Sequence, residues 1–217
     1  MQINRTGVRF IINNTLLWLV VVVLFWLLCN SLAVNIAVTF VGCYFAFFVF
    51  YFHRIPRRDA LIDDSLVIAP ADGTIVSIEE VEEDEFFHDR RIRVSVFMTF
   101  FNVHINWYPV SGEIVYYRYH PADKFVAAHT KNSDLNEHTS IVVATDGGKE
   151  IMFRQIAGII ARRIECEAEE GKRCDQCGTV GMIRFGSRVD VFLPADAEIL
   201  VNRGDIMRGQ LTPLARI

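Results

Sequence analysis

Ser187 lies in the run Arg184-Phe185-Gly186-Ser187-Arg188-Val189-Asp190, where a glycine permits close backbone approach and the serine brings a hydroxyl beside the preceding carbonyl. The same pair also makes an ordinary β turn opening a strand over Val189–Leu193, the commoner use of such residues. His104, in Phe101-Asn102-Val103-His104-Ile105-Asn106, has a side chain suited to moving protons near neutral pH, and its apolar neighbours equally suit a hydrogen-bonded structural histidine. Asp72, in Pro70-Ala71-Asp72-Gly73, is a carboxylate in a sequence that also reads as a turn. Taken singly, these residues leave chemistry and architecture both open.

Cys174-Asp175-Gln176-Cys177, with Cys166 eight residues earlier, has the spacing of half a zinc site. Structural zinc takes four ligands, and neither a second such pair nor a nearby histidine follows, so the expectation is no metal and a reduced surface loop. Arg162-Arg163 and the pair Arg184 and Arg188 suit either an anionic headgroup or a solvated face.

The elements that must position these groups divide sharply by composition. Residues 1–54 contain no Asp or Glu and only Arg5, Arg9 and Arg54, whereas the remainder holds 19 basic and 26 acidic side chains. Mean hydropathy over all 217 residues is +0.26, and the apolar excess is concentrated in that cationic front. An acidic body argues against non-specific nucleic-acid binding, which depends on Lys and Arg neutralising phosphates.

Phe10–Cys29 and Leu32–Phe52 are uncharged stretches separated by Asn30-Ser31, each long enough as a helix to cross a hydrocarbon core of about 30 Å. A cleaved signal peptide would have a shorter apolar region without a second one directly behind it. A buried core hairpin and a shallow re-entrant hairpin are the other readings of two such close-spaced segments. The basic flanks, Arg5 and Arg9 before and His53-Arg54-Ile55-Pro56-Arg57-Arg58 after, place both ends in the cytoplasm. The expectation is a membrane hairpin over 1–58 and a body over 59–217 on the cytoplasmic face of the cell (inner) membrane. Five cysteines with no evident pairing fit that compartment.

The body reads as mainly β, a compact barrel or sandwich: β-branched runs at Val67–Ala69, Thr74–Ile78, Arg91–Phe97, Gly112–Tyr119, Ile141–Ala144, Ile151–Ile156, Val189–Leu193 and Glu198–Val201 are separated by turn residues. Asp146-Gly147-Gly148 marks a hairpin between two of them.

Five segments in order, Pro70-Ala71-Asp72-Gly73, Val103-His104-Ile105-Asn106, Pro109-Val110-Ser111-Gly112, Asn136-Glu137 and Phe185-Gly186-Ser187-Arg188-Val189-Asp190, resemble the short-form phosphatidylserine decarboxylases along essentially the whole body. The membrane hairpin fits that family too. The resemblance implies a proenzyme cut between Gly186 and Ser187 into chains 1–186 and 187–217. Ser187 Oγ would attack the Gly186 carbonyl, a base would remove the Ser187 α-proton, and elimination with loss of ammonia would leave a covalent pyruvoyl group. That group would form a Schiff base with the amine of phosphatidylserine and act as electron sink while CO2 leaves, giving phosphatidylethanolamine without metal or dissociable cofactor.

The same resemblance implies that His104 and Asp72 cooperate with Ser187, the aspartate fixing the histidine's tautomer as in a hydrolase triad. Longer relatives carry a second histidine three positions on, where this chain has Trp107, so the base for cleavage is open between His104 and His129. Arg184 and Arg188 are the candidates for binding substrate. The partners implied are phosphatidylserine and the two cleaved chains as a heterodimer, alone or in a higher oligomer. Two other readings stand beside this one. A membrane-anchored serine hydrolase using Ser187, His104 and Asp72 lacks a Gly-x-Ser-x-Gly elbow. A non-catalytic carrier-like β module lacks a lysine at an evident hairpin tip.

Overall fold

Apolar sequence without a charge gives the first part of the chain its helices, because a helix satisfies its backbone internally and needs no partner to do so. The computed structural model describes residues 2–3, 5–121, 136–158, 164–183 and 187–217 and divides into Met1–Arg57 and Arg58–Ile217. The first unit comprises β1 (Gln2–Ile3), α1 (Arg5–Leu28), α2 (Leu32–Phe52) and β2 (Arg54–Ile55), with β1 and β2 paired antiparallel. Gly7–Leu28 and Leu32–Phe52 are long and apolar enough to cross a membrane. The helices meet where Gly42 gives room to Val22 and Trp18, and the Trp18 ring lies tilted against that of Phe45 at 5.2 Å. At their connection, Asn35 Nδ2 donates to the Cys29 carbonyl at 3.0 Å, satisfying an acceptor left over by the end of α1.

The second unit is built from β3 (Leu66–Ile68), β4 (Gly73–Glu83), β5 (Asp89–Met98), β6 (Ile105–Trp107), β7 (Gly112–His120), β8 (His138–Ala144), β9 (Glu150–Ala157), β10 (Ile164–Cys166), β11 (Arg173–Cys174), β12 (Thr179–Ile183), β13 (Ser187–Pro194), β14 (Glu198–Ile199), β15 (Ile206–Met207) and β16 (Pro213–Arg216). Eight strands in the order β11-β7-β8-β9-β13-β5-β4-β15 form an antiparallel sheet curled into a half-barrel; β10-β12-β6 and β14-β16-β3 are smaller sheets. The mainly β body behind two apolar helices is the architecture expected from the sequence.

Strand alternation sorts the sheet into two faces. Val189, Val191 and Leu193 of β13 join Val94, Val96, Met98, Ile141, Val143, Ile151 and Phe153 in the main core. Residues of the opposite parity, Val142, Met152 and Phe192, form a separate small cluster on the other face. Because β9 is buried on both faces, its polar members Arg154 and Gln155 must find partners inside the protein.

The cysteine segment departs from expectation. Cys174 and Cys177 are buried rather than on a surface loop, their Sγ atoms against the carbonyls of Val110, Leu61 and Gln210. All five thiols are free. A thiol is small and apolar enough to fill core space, a use that spacing alone does not distinguish from ligation.

Candidate active site

Ser187 is the first residue of β13, the strand held between β9 and β5. In the ladder it lies opposite Met98 on one side and Ala157 on the other. It is 1% exposed, and its hydroxyl donates to the Ile183 carbonyl at 3.5 Å. The residue therefore belongs to the strand itself, not to a turn ahead of it. Its parity with Val189 and Val191 turns its side chain to the core face. Gly186 and Arg184 lie outside the described residues, as do His129, Arg162 and Arg163.

His104 immediately precedes β6 and is fully buried. Its Nδ1 lies 3.0 Å from the Asn102 carbonyl. A carbonyl can only accept, so Nδ1 carries the proton and Nε2 is the basic nitrogen. The His104 carbonyl accepts from the Ile183 N–H at 3.3 Å, so Ile183 touches both His104 and the Ser187 hydroxyl. Ile183 thus links the backbone of His104 to the hydroxyl of Ser187.

Asp72 does not join them. Its carboxylate receives both prongs of the Arg58 guanidinium, at 2.6 and 2.7 Å, and the Gly209 N–H at 2.8 Å. Arg58 also donates to the Gly209 carbonyl at 2.6 Å and lies over the Trp107 ring. The expected aspartate–histidine pair is thus replaced by an aspartate–arginine pair, while the histidine takes its tautomer from a backbone carbonyl. Alternation along β6 explains the split: Trp107 faces Gly209 and the Arg58–Asp72 pair, and Asn106 points the opposite way.

On the Asn106 side a chain of buried polar groups runs toward Ser187. Thr139 Oγ1 donates to Gln155 Oε1 at 2.9 Å, Gln155 Nε2 donates to Asn106 Oδ1 at 2.8 Å, and Asn106 Nδ2 approaches Met98 Sδ at 3.7 Å. Met98 is the residue opposite Ser187. Sequence reading missed this chain and missed Arg58. Asn106 stood inside a motif without a role, Gln155 was hidden in an apolar strand, and Arg58 read as a membrane flank.

Arg188 follows Ser187 and points to the other face of the sheet, where its guanidinium donates to buried Asp190 at 2.7 Å. That face carries a second polar cluster. Glu85 receives His120 at 2.7 Å, Ser140 at 2.8 Å and Arg154 at 2.7 Å, beside a cavity of about 350 Å³. Burial raises the Glu85 pKa, but the hydrogen bonds from Ser140 and His120 and the charge of Arg154 outweigh it and hold the carboxyl below its ordinary range. Burial pushes His138 the other way, toward the neutral ring. Glu85, His120 and His138 have the residue types of a metal site. Their ligand atoms lie within 4.8 Å of one another, and the two rings stack nearly parallel at 4.2 Å.

Comparison with known proteins gives one consistent answer. The model of the family described as phosphatidylserine decarboxylase matches residues 45–213. The phosphatidylserine decarboxylase proenzyme of Parabacteroides distasonis is 39% identical over 100% of this chain and 99% of its own. That of Bacteroides thetaiotaomicron is 41% identical over 100% and 95%, and that of Cytophaga hutchinsonii 45% identical over 77% and 76%.

Proposed function

The chain belongs to the phosphatidylserine decarboxylase family, a family of carboxy-lyases made as proenzymes, and we propose that it decarboxylates phosphatidylserine after cutting itself between Gly186 and Ser187. The observation that carries this reading is the place of Ser187: a buried hydroxyl at the first residue of a strand paired on both sides, bonded to Ile183, whose N–H in turn bonds the carbonyl of buried His104.

In the cut, the bond from Ser187 Oγ to the Gly186 carbonyl carbon forms and the bond from that carbon to Ser187 N breaks, turning an amide into an ester. His104 removes the Ser187 α-proton, the Cβ–Oγ bond breaks, and residue 186 leaves as a carboxylate. The dehydroalanyl end takes up water and loses ammonia, leaving a ketone on the amide of residue 188. Met98, Ala157 and the Ile183 carbonyl form a small, mostly apolar surround that suits a pyruvoyl group, which is no larger than the serine it replaces. That group supplies an electrophilic ketone that takes the substrate's amine and accepts the electron pair as CO2 departs.

The chain's own residues do the rest. Burial at Ser187 keeps water from the reacting atoms, and His104 moves protons at Nε2. Asp72 acts at one remove as a positioning residue, holding Arg58 and the Gly209 backbone against Trp107. Chains 1–186 and 187–217 stay together, because β13 of the second is hydrogen-bonded on both sides to β9 and β5 of the first. Two apolar helices support a membrane location, and the basic flanks support a body on the cytoplasmic face. Phe100 and Phe101, 41% and 70% exposed on the loop between Met98 and His104, suit a lipid substrate.

Intact mass of the purified protein tests the reading. Two chains of 186 and 31 residues are expected, the smaller with a ketone in place of its first serine, together with conversion of phosphatidylserine to phosphatidylethanolamine. A single full-length chain from freshly folded protein, unchanged by Ser187→Ala, would overturn it.

A further inference from the structure

We propose that Asn102 is a positioning residue of the Ser187 reaction: its side chain pins the Thr99–Asn102 turn, so that its own carbonyl keeps the His104 proton on Nδ1 and leaves Nε2 basic. This rests on the reading of His104 as the base that serves Ser187.

The turn begins beside the reacting residue. Met98, the last residue of β5, lies opposite Ser187 in the ladder, and Thr99 follows it. The Asn102 N–H donates to the Thr99 carbonyl at 3.1 Å, closing a four-residue turn. Two further bonds join the same pair, because the Thr99 N–H and the Thr99 hydroxyl both donate to Asn102 Oδ1, each at 2.7 Å. A backbone N–H can only donate, so the amide atom that meets it is the oxygen, and the side chain has one orientation.

What the turn holds is the histidine ring. The Asn102 carbonyl accepts from His104 Nδ1 at 3.0 Å, while the His104 carbonyl accepts from the Ile183 N–H at 3.3 Å. The Ile183 carbonyl in turn accepts from the Ser187 hydroxyl at 3.5 Å. The backbone of His104 is thus fixed from the Ser187 side and its ring from the turn. A neutral imidazole released from such a carbonyl distributes its proton over both nitrogens, and with the proton on Nε2 no lone pair remains there to act as base. Burial does little to hold the turn, since Thr99, Phe100 and Phe101 are all exposed. The bonds between Asn102 and Thr99 supply the rigidity instead. They use only the oxygen of the Asn102 side chain, so an aspartate can take its place.

The test combines self-cleavage rate with the ring-nitrogen NMR resonances of His104, which report which nitrogen carries the proton. Resonances are recorded on full-length Ser187→Ala, which stays one chain, with and without Asn102→Ala or Asn102→Asp; cleavage is followed with Ser187 intact. Asn102→Ala is expected to populate the Nε2–H form of His104 and to slow cleavage on the order of 10²-fold, the cost of a catalytic group misplaced by about 1 Å. Asn102→Asp should keep the parent's tautomer and cut within a few-fold of the parent. Thr99→Val, which loses the hydroxyl bond and keeps the backbone one, should fall between the parent and Asn102→Ala in both readings. An unchanged His104 tautomer in Asn102→Ala, at any cleavage rate, would overturn the inference and leave the function standing. Failure of Asn102→Asp to restore tautomer and rate would overturn it as well. If Asn102→Ala loses its cooperative melt, Thr99→Val decides, and a parent-like tautomer and rate there count against the inference. A tautomer shift without slowing would instead remove His104 as the base, and cleavage of Ser187→Ala would sink the reading of Ser187 itself.

Discussion

Arg58 and Asp72 are joined by two parallel hydrogen bonds of 2.6 and 2.7 Å, with both side chains about seven-eighths buried. The pair binds a residue at the very start of the body to the Pro70-Ala71-Asp72-Gly73 segment. Through Gly209 it also reaches the segment that self-cleavage would make a separate chain. Asp72, which the sequence resemblance links to proton handling, is thereby held in a buried ion pair beside Trp107.

Removing the guanidinium strands a buried negative charge, and a broken buried pair costs about 3–5 kcal/mol. Arg58→Ala is expected to lose stability on that order in denaturant titration, and Arg58→Lys to recover only part of it, because an ammonium cannot match both carboxylate oxygens at once. Replacing both partners with apolar residues should cost less than Arg58→Ala alone. A melt unchanged by Arg58→Ala would show that Asp72 has another partner.

After cleavage, the 31-residue chain should remain bound. β13 contributes Val189, Val191 and Leu193 to the core at no exposure and is paired along its length on both sides. Size exclusion in buffer is expected to show the two chains eluting together, and to separate them in strong denaturant. Dissociation of the small chain under native conditions would contradict the buried position of that strand.

Stability should fall on acidification in two stages. His138 has a folded pKa below its ordinary value because burial disfavours the charged ring. Between that folded value and about 6.5 the unfolded state binds more protons, so this contribution is full above about 6.5 and is lost as pH falls through the window. Glu85 is held below its ordinary value by Ser140, His120 and Arg154 against the opposing effect of burial. Its contribution is full above about 4.5 and disappears as pH falls further. Denaturation midpoints followed from pH 8 to well below pH 4 should show both, and His138→Gln should flatten the upper stage. A midpoint independent of pH across that range would refute the assignment.

The thiols of Cys174 and Cys177 are both pushed up to about 11 by burial, and that of Cys166 likewise. An alkylating agent reacts with the thiolate, so at pH 8 these three should resist labelling in the folded protein and react promptly once it is unfolded. Mass spectrometry of peptides from the two conditions distinguishes them. Rapid native labelling of Cys174 or Cys177 would show that their loop opens.

The sequence by itself determined the broad organisation of this protein and singled out Ser187 as the expected nucleophile. Two uncharged stretches of more than 18 residues dictate helices by length and hydropathy, and period-two runs such as Arg91–Phe97 dictate strands, because both signals are local. Ser187, His104 and Asp72 were legible through the order of short motifs. Which partner each residue takes was decided only by the tertiary structure. Asp72 meets Arg58 and Gly209, 14 and 137 residues away in the chain, and Asn106 meets Gln155, 49 residues away. No local signal announces such contacts, since they depend on how strands stack and on which face each side chain is turned. Alternation along β6, one residue at a time, separates Trp107 and the Asp72 clamp from Asn106 and the Ser187 side, and that division follows from strand register rather than from residue type.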